Sequence, residues 1–278
     1  MVKYFEEIWI PKALNLEKQQ MFWDQRSSHF NEIAYKTKEN QQRREKIIDQ
    51  LRQKDFFRNT SHVLDIGCGP GIYSIAFAKE CESVTALDLS SEMLTYGQQN
   101  AKKEQLKNIE FIQEAWENID IHALGWEGKF DLVFASMCPG INSANALKKM
   151  FGASGDACFL SHFIERKNVI KEELMQQLDL PSKRSYENSI YLAFNLLWNM
   201  GYYPQIEYID TMWEDVFTLE EMEKEYLQYF SLIKPCTIKE QKQVHQQVHQ
   251  FLLEHQEDGK IKEQTQAKIG LLYWRKEN

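Results

Sequence analysis

The chain has 278 residues, 43% of them hydrophobic and 27% charged, and a formal net charge of −8. This length supports one large domain, or one domain with a smaller cap, around a sizeable core. The acidic balance counts against a broad basic surface tracking nucleic-acid phosphates.

In chain order, residues 1 to about 58 read as amphipathic helices. Apolar and aromatic positions recur at Met21, Phe22, Trp23, Phe30, Ile33 and Ala34, and the charged helix "NQQRREKIIDQLRQ" follows. Strands and helices then alternate. "HVLDIG" predicts a strand and "GIYSIAFAKE" a helix; "SVTALDL" predicts a strand and "SSEMLTYGQQNAKKE" a helix capped by Ser90 or Ser91. "NIEFIQEA", "FDLVFAS" and "DACFLSHF" are further strands. Alternation of this kind predicts a doubly wound, mostly parallel sheet with helices on both faces. Beyond residue 164, "KNVIKEELMQQL" and "SIYLAFNLLWNM" read as helices and "YPQIEYIDTMW" as a strand. "TLEEMEKEYLQYFSLI" is a helix with Thr218 and Glu221 at capping-box spacing. A polar helix at 238–256 and a closing strand "TQAKIGLLYWRKE" complete the chain. The expected divisions are a helical cap at 1–58, an α/β core at 59–164, a cap insertion at 165–235, and a C-terminal helix and strand at 236–278.

No long apolar run opens the chain, and "SIYLAFNLLWNMGYY" is too short and polar to span a bilayer. The five cysteines, Cys68, Cys81, Cys138, Cys158 and Cys236, are widely spaced with no C-x-x-C pair. That spacing disfavours a disulfide framework or structural zinc and fits a reducing cytoplasm.

The chemistry concentrates in "VLDIGCGPGIYSIAFA", Val63 to Ala78. Gly67, Gly69 and Gly71 let backbone approach a ligand at the N-terminus of the next helix. A P-loop would need G-x-x-x-x-G-K-[ST], and no Lys follows. A dinucleotide site would place its third glycine at position 72, where Ile72 stands. Asp65, two residues before Gly67, would repel a pyrophosphate and suit an ammonium or sulfonium group. Asp88 lies about 20 residues beyond the glycines, the spacing at which an acid meets ribose hydroxyls. Leu89 beside it can pack on adenine, and Glu114 with the Ala115 N–H can read an adenine edge; Met93 joins this cofactor set. Adenine, ribose and a positive group without phosphate describe S-adenosylmethionine (SAM).

These blocks, with "VTALDLSSEML", "FIQEAW" and "FDLVFASMCPGI", resemble the class I SAM-dependent methyltransferases over about residues 60–165. The leading "FWDQRSSHFNEIA" resembles the N-terminal cap segment of small-molecule members of the quinone-biosynthesis type. The resemblance implies a Rossmann-like, seven-stranded sheet whose last strand is antiparallel. It implies that Asp65 and the glycines hold the methionine moiety, Asp88 the ribose, and Glu114 and Ala115 the adenine. It also puts Ala135 and Ser136 beside the sulfonium, and Trp23 and Phe30 nearest the cofactor. The family more often has Asp at the position of Glu114. The [DNS]-P-P-[YF] motif of methyltransferases acting on planar amino groups is absent; "SMCPGIN" stands in its place.

Outside the glycine turn, His162 is a candidate general base at the end of the fifth strand, against the alternative of a histidine bonded within the sheet edge. Met137 and Cys138 are candidate pocket residues, with Trp23 and Phe30. His245 and His249, spaced i, i+4, read as a solvated or half-buried helix face rather than a metal site. The expected protein is a cytoplasmic SAM-dependent methyltransferase with a small-molecule acceptor, no metal and no membrane. Its oligomeric state is left open, a homodimer among the options. The rival readings are an RNA or protein methyltransferase, a SAM-binding regulatory subunit without catalysis and, more distantly, a nicotinamide-dependent oxidoreductase.

Overall fold

The structure is a computed structural model and describes residues 1–11, 15–180, 188–233 and 238–276. The chain divides into two compact units: Met1–Ile164 with Asn188–Ile209 and Ile269–Asn278, and Glu165–Glu187 with Asp210–Lys268. Three of the four boundaries fall inside long strands.

The elements of the first unit are, in order, helices α1 (Val2–Ile8), α2 (Leu16–Lys36) and α3 (Lys38–Gln53), strand β1 (His62–Ile66), helix α4 (Ile72–Ala78), strand β2 (Ser83–Asp88), helix α5 (Ser91–Lys103), strand β3 (Ile109–Gln113), strand β4 (Phe130–Ser136) and helix α6 (Ala144–Ala153). Strand β5 (Ser154–Asn168) follows, then helices α7 (Val169–Gln177) and α8 (Ser189–Asn199), strand β6 (Gln205–Thr218), helices α9 (Leu219–Ile233) and α10 (Ile238–Glu254), and strand β7 (Lys260–Arg275). The strands form one sheet in the order β3-β2-β1-β4-β5-β7-β6. The pairs β1–β2, β1–β4, β2–β3 and β4–β5 are parallel.

Both faces of the central strands β1, β2 and β4 are buried, as in a parallel sheet. Side chains alternate strictly along each central strand. Leu64, Ile66, Val133, Ala135, Cys158 and Leu160 face one apolar cluster, which includes residues of α1, α6 and α8. Val63, Leu132, Phe134, Ala157 and Phe159 face the other, which includes residues of α3 and α4. A one-residue slip would exchange the faces, so the register is strongly specified.

The expected segments do not map one to one onto the units. Phe5 and Trp9 are 4% and 5% exposed and pack in the cluster of Leu64, so α1 belongs to a helical layer of the sheet. Ile47, Ile48 and Leu51 of α3 join the opposite cluster. Helix α8, expected in a cap insertion, is apolar on most sides and packs on the sheet through Ile190, Ala193, Leu196 and Leu197. The expected division at 235/236, and Cys236 itself, lie outside the described residues. The other four cysteines are free and buried.

The second unit has its own core of Leu174, Met175, Met222, Tyr226, Phe251, Leu252 and Ile261. Thr218 and Glu221 form the expected capping box at α9: the Glu221 N–H donates to Thr218 Oγ1 at 3.3 Å and the Thr218 N–H to Glu221 Oε2 at 2.8 Å. Asn168 caps α7, accepting from the Lys171 N–H at 2.9 Å. No helix among the described residues is long and apolar enough to cross a membrane.

Candidate functional site at the glycine turn

The turn between β1 and α4 is tied to the end of β2. The Gly67 and Cys68 N–H groups both donate to Leu87 O, at 2.7 and 3.0 Å. Gly67 has φ +71°, and a Cβ there would stand 2.6 Å from Cys138 Sγ. Gly71 has φ +80°, and its Cβ would meet Gly97 Cα at 3.3 Å, so α4 and α5 approach closely through paired glycines. Gly69 differs: a Cβ there would meet only Met93 Sδ, at 4.0 Å. This stretch of backbone is open to a ligand.

Asp88 closes the turn from the β2 side. Its Oδ2 accepts from the Gly69 N–H at 2.8 Å and its Oδ1 from the Ser90 N–H at 2.8 Å. A carboxylate has roughly four lone-pair sites. The turn thus engages both oxygens, which keep acceptor capacity for ribose hydroxyls. Burial raises the Asp88 pKa, opposed by the Ser90 and Gly69 N–H bonds. Ser90 caps α5, donating its hydroxyl to Asp24 Oδ1 at 2.6 Å and accepting from the Met93 N–H at 3.1 Å. Leu89 is half-buried beside it, and Met93 is buried.

Asp24 is a positioned residue the sequence reading did not single out. From α2 it holds Ser90 and also accepts from the Glu92 N–H at 3.3 Å. Further along α2, Asn31 accepts from Asn100 Nδ2 at 2.7 Å, and the same amide donates to Pro70 O at 3.1 Å. Helix α2 is thereby docked on α5 and on the glycine turn. Trp23 and Phe30, both half-buried, meet edge to face at 5.5 Å on the same helix. The signal for Asp24 was its place inside the segment "FWDQRSSHFNEIA"; its partner could not be read.

Asp65 is only 2% exposed, and its Oδ2 accepts from the Ser74 hydroxyl at 2.5 Å. It braces β1 to the first turn of α4 rather than presenting its carboxyl to the open side of the turn. Burial, opposed by the Ser74 bond and aided by the Asp88 charge, pushes its pKa up to about 7. Its ordinary value is 3.8. Between the two, the fold holds a proton that the unfolded chain has released. Stability therefore falls as pH rises through this window, by a few kcal/mol in all. Asp65→Asn is expected to flatten that decline between about pH 4 and pH 7 in urea unfolding. An equal decline in both proteins would contradict the buried-carboxyl reading.

Glu114 sits at the end of β3, its N–H donating to Asp88 O at 3.0 Å. Its Oε1 accepts from the Ala115 N–H and from Asn118 Nδ2, each at 2.9 Å. The Ala115 N–H is therefore committed to Glu114, and Glu114 Oε2 remains for an exocyclic amine. Ser136 ends β4 beside Ser161, their hydroxyls 2.9 Å apart. Met137 has φ +58° and donates its N–H to Ser161 O at 2.9 Å. Cys138 lies buried on Gly67, and burial pushes its thiol up to about 12. It is a neutral packing group under the turn.

His162 is 6% exposed, and its Nδ1 accepts from the Phe163 N–H at 3.1 Å. Burial lowers its pKa to about 4. In the second unit, His245 Nε2 and His249 Nδ1 lie 2.7 and 3.3 Å from the Glu223 carboxylate of α9. The pair thus faces an acid from the neighbouring helix.

Open backbone at Gly69, acceptor capacity on Asp88 and the Glu114 Oε2 suit an adenosine bearing a positive group. A model of the Methyltransferase domain family matches residues 63–154. The chain is 38% identical over 71 residues to the ubiquinone biosynthesis O-methyltransferase of Erwinia tasmaniensis, covering 26% of this chain and 28% of that one. It is 30% identical over 118 residues to the 23S rRNA (uracil(1939)-C(5))-methyltransferase RlmD of Tolumonas auensis, covering 42% and 26%. The chain spans less than a third of the length of such curated relatives, 26% and 28% for these two. A solved protein of Bacillus halodurans C-125 shares the fold, with TM-score 0.50 and 17% identity over 83% of this chain and 99% of that one. Over residues 63–154 the chain is thus similar to the Methyltransferase domain family.

Proposed function

We propose that the protein transfers a methyl group from SAM to a small-molecule acceptor. The observation that carries this reading is the Asp88 carboxylate, held by the Gly69 and Ser90 N–H groups at 2.8 Å each, with the open Gly69 backbone facing it. Asp88 would hold the ribose, Glu114 Oε2 the adenine amine, and the turn backbone the amino-acid end. SAM supplies an electrophilic methyl carbon on a sulfonium. The chain's own contribution is to bind and align the two reactants in a partly dry site, which alone lowers the barrier substantially.

A small acceptor is favoured over RNA by the net charge of −8, since phosphate tracking needs clustered cations. The experiment is transfer from methyl-labelled SAM to pooled small molecules, run beside total RNA. Label in the small-molecule fraction is expected. Label confined to RNA would give the site to the reading suggested by the rRNA-modifying relative.

His162 bears on the mechanism. A ring neutral above about pH 5 accepts a proton weakly, so it adds no titration between about pH 6 and pH 8. His162→Gln is expected to keep the wild-type shape of the rate profile over that range. An acidic limb between about pH 6 and pH 8 that is lost in the variant would restore His162 as the base.

A further inference from the structure

Ser90 stands between two carboxylates. Its N–H donates to Asp88 Oδ1 at 2.8 Å, and its hydroxyl donates to Asp24 Oδ1 at 2.6 Å. The hydroxyl oxygen also accepts from the Met93 N–H at 3.1 Å, as an N-cap does. Asp24 comes from α2, and the same Oδ1 accepts from the Glu92 N–H at 3.3 Å. The first turn of α5 is thus capped twice: Ser90 meets the Met93 N–H, and a carboxylate from another helix meets the Glu92 N–H. A negative charge at that end also suits the helix dipole.

These bonds reach the adenosyl side of the turn. Asp88 is held at 2.8 Å by the N–H of Gly69, in backbone open to a ligand, and by the N–H of Ser90. The placement of Ser90 therefore enters the placement of Asp88. Ser90 is fully buried, and with its N–H and hydroxyl both engaged it has little freedom to turn. Without Asp24, the buried hydroxyl loses its acceptor and the Glu92 N–H loses its cap. The charged acceptor makes the Ser90–Asp24 bond stronger than one between neutral groups. The other tie from α2 is different. Asn31 Oδ1 accepts from Asn100 Nδ2 at 2.7 Å, a bond that touches neither Ser90 nor Asp88. Holding the helix and holding Asp88 can therefore be separated.

We propose that Asp24 is a positioning residue for the cofactor: from α2 it fixes Ser90, and through Ser90 it sets the Asp88 carboxylate for the ribose. The proposal rests on the reading of the glycine turn as an adenosyl site.

The test is calorimetric titration of S-adenosylhomocysteine, with thermal unfolding of each free protein measured beside it. Asp24→Ala is expected to weaken binding about tenfold, the loss of one hydrogen bond to a charged group. Asp24→Asn keeps an acceptor oxygen for the Ser90 hydroxyl and is expected to stay within about threefold of wild type. Ser90→Ala should weaken binding about as much as Asp24→Ala, and the double variant little more than either, because both remove the same bond. Asn31→Ala is expected to lower the unfolding temperature and leave affinity within about twofold. A general loosening of α2 would move affinity in Asn31→Ala as well, and that result would overturn the proposal. So would full affinity in Asp24→Ala, or losses from Asp24→Ala and Ser90→Ala that add. If Asp24→Ala does not fold, Ser90→Ala carries the test, and full affinity there overturns the proposal equally. A folded wild-type protein that does not bind S-adenosylhomocysteine would remove the adenosyl reading, and the proposal with it.

Discussion

Asp88→Ala is expected to weaken S-adenosylhomocysteine binding by about a hundredfold, as expected when hydrogen bonds to a charged group are lost in a partly buried site. Two effects add. The variant removes the acceptor for the ribose hydroxyls, and it leaves the Gly69 and Ser90 N–H groups without the oxygens they meet at 2.8 Å. The second effect loosens the turn itself, so thermal unfolding of the free protein should also move down. Asp88→Asn separates the two. Its amide oxygen can still take one turn N–H, but its amino group faces the other as donor to donor. Affinity between wild type and Asp88→Ala is expected for it. Calorimetric titration measures all three. Full affinity in Asp88→Ala would place the ribose elsewhere and remove the reason for reading the turn as an adenosyl site.

Gly67→Ala is expected to destabilise the fold by about 2–4 kcal/mol, combining overpacking with a left-handed backbone strained for any Cβ. The new methyl would stand 2.6 Å from Cys138 Sγ and 2.9 Å from Cys138 Cβ, at φ +71°. Neither neighbour can swing away easily, because Cys138 is buried among the apolar residues of one sheet face. Adding Cys138→Ala should return part of the loss by removing Sγ, while the Cβ contact and the strained φ remain. Urea unfolding of the single and double variants reads the coupling. Strict additivity would mean that Cys138 is not the packing partner of the turn.

The order of elements in the core was legible because the physics is local. β1, β2 and β4 are short apolar runs bounded by turns, and of the two cap candidates, Ser90 and Ser91, Ser90 caps α5. Helix α6 went unread. Its signal was present: Ser143 caps it, accepting from the Ala146 N–H at 3.1 Å, and Leu147, Met150 and Phe151 recur at helical spacing. It lies between two strong strands, as the crossover of the parallel pair β4–β5 must. Helix α8 was read as a helix but placed in the cap, although its apolar character on most sides marks a buried element.

The site was legible in its glycines and in Asp88, whose roles follow from backbone conformation and spacing. It was less legible where a side chain's partner is distant in sequence. Asp65 looks like a ligand-facing acid until Ser74 is seen bonded to it. Glu114 looks free until Asn118 and the Ala115 N–H are found on one oxygen. Asp24 with Ser90, and Asn31 with Asn100, meet only because α2 folds back on α5. No periodicity encodes such pairs.

The central claim is that the turn from Gly67 to Gly71, with Asp88, binds the adenosyl cofactor. Calorimetric titration of S-adenosylhomocysteine into the wild-type protein tests it most directly. One saturable site with a dissociation constant on the order of micromolar is expected, about −8 kcal/mol. No heat of binding to a folded protein at millimolar ligand would contradict it.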